Sequence, residues 1–199
     1  NDEIKRDINA YAIYMDSGGE TGAEPALDPV MKPLTDDNPD GFDYDNSIHV
    51  LPSGRIEMKG GGHLELTTDY LPMEADNIAT VYSPTLNALF LSDFGYNRIH
   101  LWLGDDISRQ DTANWRTELL RLKREYAQRD PVVYPGHGEV TDMSLFDEMV
   151  RYIDDFLRIT ASATSREQAM EEMTALYPDW GEADFFLKYS LFNHVRPAP

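Results

Sequence analysis

The residues best equipped for chemistry in this chain are Glu74, Asp93 and His137, and each stands where an element of structure should end. His137 lies in Pro131-Val132-Val133-Tyr134-Pro135-Gly136-His137-Gly138-Glu139. Val132-Val133-Tyr134 has the β-branched and aromatic composition of a buried strand, and Pro135-Gly136 should stop it, because proline cannot continue a central ladder. The flanking glycines permit positive φ and leave no bulk beside the imidazole, so the ring can face an ion or a substrate in a cleft. The plain alternative is a histidine in an ordinary strand-to-helix turn.

Asp93 follows Leu89-Phe90-Leu91-Ser92, so a carboxylate is delivered at the tip of an apolar strand, where burial without a partner would be costly. A metal ion, a nearby arginine or a helix terminus would each answer that need. Glu74, in Leu71-Pro72-Met73-Glu74-Ala75-Asp76-Asn77, precedes the next strand and is able to reach the same cleft; a glutamate in an acidic turn is otherwise simply solvated. Taken together the three are hard or borderline ligands at successive strand ends, a set that suits zinc, manganese or iron rather than a calcium cage.

Composition removes whole classes of function. With 36 acidic against 17 basic residues the formal charge is −19, which repels a phosphate backbone and argues against nucleic acid as a partner. The basic run from Arg116 to Arg124 reads as the solvated face of an amphipathic helix. No apolar run approaches the roughly 18 residues of a membrane span, so no membrane partner is expected. Zero cysteines exclude disulfides, thiolate metal sites and a cysteine nucleophile, leaving His, Asp and Glu for any metal. Residues 1–6 contain no apolar signal core, and the compartment stays open.

The elements that must position these residues follow from periodicity. Ile4, Ile8, Tyr11, Ala12 and Met15 predict a helix over 3–15, and the glycines, prolines and aspartates of 16–46 predict a long loop able to cover a substrate. Strands are expected over 47–51, 55–59 and 63–68 as a meander, then over 78–82 and 88–91 as a hairpin around residues 83–87. The period then changes to helical. Trp115, Leu119, Leu122 and Tyr126 mark a helix over 112–128, and Phe146 to Leu157 mark another, opened by Ser144 and Asp147. A third follows the capping box Ser165-Arg166-Glu167-Gln168, and a fourth spans 182–195. There is no fixed-period repeat, and 199 residues suit one domain with a core that buries about 70% of its unfolded surface.

Val-Val-Tyr-Pro-Gly-His-Gly after a helix, preceded by a strand pair ending in Leu-Phe-Leu-Ser-Asp, resembles the carboxyl-terminal part of the metallo-β-lactamase superfamily. The resemblance covers residues 1–160, with 161–199 a helical extension. It implies an α/β fold, an αβ/βα sandwich of which only the carboxyl-terminal part is present. It also implies that Asp93 matches the aspartate bridging two metals and His137 the last histidine ligand. Glu74 takes the place of the family's middle histidine, as a glutamate does in branches resembling alkylsulfatases. Tyr96, His100 and Trp102 become candidates for the substrate cleft, with Leu101 beside them. His49 and His63 are expected to be structural or solvated, and His194 has no nameable partner.

The family's His-x-His-x-Asp-His motif is missing: His49, His63, His100, His137 and His194 include no such spacing. The chain is therefore expected to be a carboxyl-terminal portion of a longer protein. The implied function is a metal-dependent hydrolase, in which a metal-activated hydroxide attacks an ester, lactone, thioester, amide or sulfate bond of a small molecule. Zinc is the first choice of metal, then manganese or iron, with weak retention and negligible turnover expected of this chain alone. Charge disfavours a nuclease branch. The rival expectation is a non-catalytic half-domain or processed fragment that associates with a missing amino-terminal half or with itself.

Overall fold

A computed structural model describes residues 54–75, 77–104 and 107–195. The expected helix over 3–15, the loop over 16–46, the strand over 47–51 and His49 lie outside the described residues. The described residues belong to one compact unit.

Its centre is a five-stranded sheet: β1 (Arg55–Glu57), β2 (His63–Thr67), β3 (Thr80–Ser83), β4 (Ala88–Tyr96) and β5 (Val132–His137), in that spatial order. The first three pairings are antiparallel, and β4 and β5 run parallel. A parallel pair needs a crossover, and α1 (Arg109–Tyr126) supplies it. α2 (Ser144–Ser162) and α3 (Arg166–Leu176) follow, then a π-helical turn over Ala183–Leu187 and α4 (Lys188–His194).

Two expected strands differ in extent. β4 runs on past Leu91 to Tyr96 through two register irregularities, with Ser92 in the left-handed region at φ 52°. β5 continues through Pro135-Gly136 instead of stopping there; among the described residues it is the last strand of the sheet, and an edge tolerates proline where a central position does not. The expected start of the hairpin at Ile78 moves to Thr80, the first residue in register with β2.

The helices likewise start where their donors are satisfied. α1 begins three residues before the expected position because Ser108 and Asp111 form a reciprocal capping box. At α2 the expected Ser144–Asp147 cap is replaced: Asp142 accepts from the Ser144 N–H at 2.8 Å. Ser165 caps α3 as expected, accepting from the Gln168 N–H. Instead of one helix over 182–195, the chain enters at Glu182 with φ 64°, makes the π-helical turn, and then α4.

The core lies between one face of the sheet and the helices. Leu89 and Leu91 of β4 and Val133 of β5 meet Trp115, Leu119 and Leu122 of α1 and Phe146, Met149 and Ile153 of α2, all fully buried. Each such aliphatic side chain contributes about 1.5–3 kcal/mol by leaving water. Trp115 also donates its indole N–H to the Phe94 carbonyl at 3.0 Å, which ties α1 to the irregular end of β4. The opposite face of the sheet is apolar in register: Ile56 opposite Leu64, Leu66 opposite Val81, Val81 opposite Phe90, and Phe90 opposite Tyr134. Ile56, Phe90, Val132 and Tyr134 are exposed there, Phe90 and Tyr134 stacking at 4.7 Å.

The carboxyl-terminal segment is part of this unit. Gly181 exchanges backbone hydrogen bonds with Arg98 and His100, and Ser190 and Asn193 bond the backbone of Leu103. Leu187 and Leu191 are buried in the core.

Candidate metal centre

His137 and Asp93 meet because the ends of β4 and β5 approach unusually closely. A Cβ built on Gly136 would lie 2.5 Å from the Ser92 carbonyl group and 2.9 Å from the Asp93 nitrogen, so any larger residue would push the strands apart. Gly138 has φ 89° and leaves no room for a Cβ against the Asn97 carbonyl oxygen. Asn97 then clamps the turn, its N–H donating to the His137 carbonyl at 2.9 Å and its side-chain amide to the Glu139 carbonyl at 2.8 Å. The glycines around His137 therefore serve close approach of β4 as well as an open path to the ring.

The result is a contact of 3.2 Å between His137 Nε2 and Asp93 Oδ1, with the histidine one-third and the aspartate more than half exposed. The sequence places Asp93 at a buried strand tip; the left-handed Ser92 and the irregular register turn it to the open side instead.

Glu74 lies behind this pair. Its Oε1 accepts from the Tyr96 hydroxyl at 2.8 Å, whereas its Oε2 is buried and has no hydrogen-bond partner. Burial pushes the Glu74 carboxyl up to about 8; the bond from Tyr96 pulls against that, and the charge of Asp93 adds to it. Burial, and then Glu74, push the Tyr96 phenol upward, so it stays a donor. Tyr96 also stacks on the His137 ring, centroids 4.3 Å apart at 24°, and Phe186 meets the same imidazole edge-on at 5.3 Å.

Glu74 and His137 thus both contact Tyr96, while Asp93 is joined to the group through His137. Among the described residues, no three His, Asp or Glu side chains come together closely enough to hold a cation by themselves. Still, a buried carboxylate oxygen without a partner, beside an exposed carboxylate and imidazole, is the oxygen and nitrogen donor chemistry that zinc, manganese or iron accept. The donor types suit such an ion, but the described residues do not complete a site for it.

The expected cleft residues take different places. His100 is fully enclosed: its Nδ1 faces the Tyr152 hydroxyl at 2.9 Å, and Tyr152, Tyr177 and Trp180 surround the ring, so no substrate can touch it. Burial pushes its imidazole down to about 4. Tyr96 is buried beneath His137, and Leu101 is core. Trp102 alone of the four is partly exposed, stacked on Phe185 at 5.8 Å with Tyr189 beside it. His63 faces Glu65 on β2, and His194 packs edge-on against Phe156 at 5.0 Å.

Sequence reasoning missed Phe186 and Asn97. Asn97 directly follows the strand that carries Asp93, which is a usable signal. Phe186, 49 positions beyond His137, leaves none.

No family signature matches the chain, and no curated protein matches it. Solved structures do. A metallo-β-lactamase family protein from Thermus thermophilus aligns with a TM-score of 0.52 over 85% of this chain and 58% of its own, at 15% identity. The chain carries part of the metallo-β-lactamase fold. A double mutant of the sec-alkyl sulfatase PisA1 aligns with a TM-score of 0.50 over 73% of this chain and 26% of its own, at 14% identity. The metallo-β-lactamase from Pontibacter korlensis aligns at 23% identity over 63% of this chain and 55% of its own, with a TM-score of 0.45. The chain spans about half the length of the metallo-β-lactamases it matches.

Proposed function

We propose that this chain supplies Asp93, His137 and Glu74 to the divalent-metal centre of a hydrolase of the metallo-β-lactamase superfamily. The observation that carries the proposal is the 3.2 Å approach of His137 Nε2 and Asp93 Oδ1, with the unpartnered Oε2 of Glu74 behind them. Zinc is the first candidate, with manganese and iron next, because one imidazole and two carboxylates suit all three. When bound, such an ion supplies Lewis acidity and acidifies water at neutral pH. The chain's own residues orient and shield: Tyr96 and Phe186 fix the imidazole and close its apolar side. Trp102, Phe185 and Tyr189 offer an aromatic wall one ring away for the apolar part of a small substrate. The bond cleaved is of the ester, lactone, thioester, amide or sulfate type, and the charge of −19 disfavours a nucleic acid. The test is metal content after gel filtration with zinc or manganese, for the chain and its Asp93→Ala and His137→Ala variants. Both variants should lose metal relative to the parent chain; unchanged content in both sinks the ligand assignment.

A second proposal concerns the bare sheet face. Ile56, Phe90, Val132 and Tyr134 are exposed in register on one side of the sheet, and such a face seeks cover. The occupant proposed is the other sheet of the sandwich, supplied by an amino-terminal half of the fold or, failing that, by a second copy. Light scattering during size-exclusion chromatography tests it: association of the chain supports the proposal, and a clean monomer at high concentration counts against self-association.

A further inference from the structure

A cavity of about 250 Å³ opens between the turn after β4, α2 and the turn after α3, and none of Glu74, Asp93 and His137 lines it. Arg98 lines it from the first element, Glu148 and Arg151 from the second, and Tyr177, Asp179 and Trp180 from the third. Its walls are held in place. Arg98 sits in the left-handed region at φ 54° with its carbonyl accepting from the Gly181 N–H at 2.9 Å, and Trp180 stacks on Tyr152 of α2 at 5.0 Å and 4°. Its charges, by contrast, are unmatched. Arg55, Arg116, Arg121, Arg129 and Arg158 each pair with a carboxylate, whereas the side chains of Arg98 and Arg151 bond nothing among the described residues, in a chain with 36 acidic residues. Asp155, one turn beyond Arg151, is already taken by Arg158 and the Tyr177 hydroxyl. The carboxylates of Glu148 and Asp179 also bond nothing among the described residues, although Glu148 and Arg151 have the helical spacing at which opposite charges ordinarily pair.

Two unpaired cations and two unpaired carboxylates on one cavity meet a ligand of a single charge with repulsion as well as attraction, and suit a ligand that carries both charges. We propose that this cavity binds a small zwitterion, an α-amino acid with an apolar side chain. Its carboxylate goes to Arg98 and Arg151, whose planar guanidinium groups match that shape, and its ammonium group goes to Glu148 and Asp179. Leu176, Pro178 and Trp180 supply the apolar lining for its side chain. The volume lies below the roughly 300 Å³ at which pockets for drug-sized ligands begin, which fits a ligand of this size. The site shares no residue with the metal centre and does not depend on that assignment.

The experiment titrates the full chain by calorimetry with L-phenylalanine and L-leucine, and with two single-charge analogues: 3-phenylpropanoate, which lacks the ammonium group, and 2-phenylethylamine, which lacks the carboxylate. L-Phenylalanine should bind about 10-fold or more tightly than either analogue. In ¹H–¹⁵N spectra it should move the Trp180 indole signal and leave that of Trp115, which is buried in the core, in place. Arg98→Gln and Arg151→Gln should each weaken binding by about 10- to 100-fold. Glu148→Gln should weaken L-phenylalanine and tighten 3-phenylpropanoate, opposite changes that a folding defect cannot produce. Absence of binding by both amino acids at millimolar concentration overturns the proposal, as do arginine variants that bind like the parent. An analogue that binds as tightly as L-phenylalanine also overturns it, by showing that the cavity reads one charge alone.

Discussion

Two histidines of this chain sit against tyrosines, and their surroundings separate packing from chemistry. His100 is closed in by Tyr152, Tyr177 and Trp180, with no solvent contact. His137 has the same kind of support from Tyr96 and Phe186, but it keeps one-third of its side chain open and has Asp93 3.2 Å from Nε2. Aromatic rings hold a histidine in place in both regions. Only the second adds a carboxylate and an opening, and those two additions turn a held histidine into a candidate ligand.

The largest way to break the comparison is to collapse the enclosed region. Tyr152 is fully buried, stacks on Trp180 at 5.0 Å and faces His100 through its hydroxyl. Tyr152→Ala should cost about 3–5 kcal/mol of stability, read by denaturant unfolding, while leaving the metal response of the folded fraction unchanged. Lost metal binding by the folded fraction would show that the two regions are coupled.

A smaller effect separates the two by pH. Burial pushes His100 down to about 4, whereas a histidine in the unfolded chain titrates near 6.5. As pH falls the unfolded chain takes up the proton first, so the contribution of His100 to stability is complete above pH 6.5 and is lost progressively between 6.5 and 4. It changes no further below pH 4. The loss amounts to roughly 3 kcal/mol at most. His100→Gln should flatten that part of the stability profile; a slope identical to the parent's would contradict the assignment.

The third prediction sharpens the His137 side. Gly136→Ala places a methyl group 2.5 Å from the Ser92 carbonyl, so the ends of β4 and β5 must separate. The expected cost is about 1–3 kcal/mol, with a loss of metal affinity out of proportion to the loss of stability. Equal metal affinity in the variant would mean that the close approach of the strands does not set the site.

These regions also show how far the sequence reaches. The hairpin of β3 and β4, the crossover helix and the positions of Asp93 and His137 near strand ends are legible because period, β-branching and Gly-Pro punctuation are local signals. Glu74 is legible as a neighbour from its place just before β3, and the family resemblance adds a role for it. The course of β4 beyond Leu91 is not, because the bulged end is set by pairing with β5, more than 40 positions away, and by Trp115 bonding Phe94. The partnership of Tyr96 with Glu74 spans 22 positions and depends on that same irregular end. His100 follows the Asp93 strand so closely that sequence distance points toward the cleft, but the Gly181 backbone captures its segment and turns it inward. Sequence proximity to a site does not fix which way a residue faces.

The most direct test follows the imidazole nitrogens of all the histidines by ¹⁵N NMR while zinc is added to the full chain. The account predicts a large shift of His137 Nε2 that disappears in Asp93→Asn and weakens in Glu74→Gln, with His63 and His100 unmoved. A His137 signal indifferent to zinc, or a shift that survives both substitutions, would contradict the claim that these three residues share a metal centre.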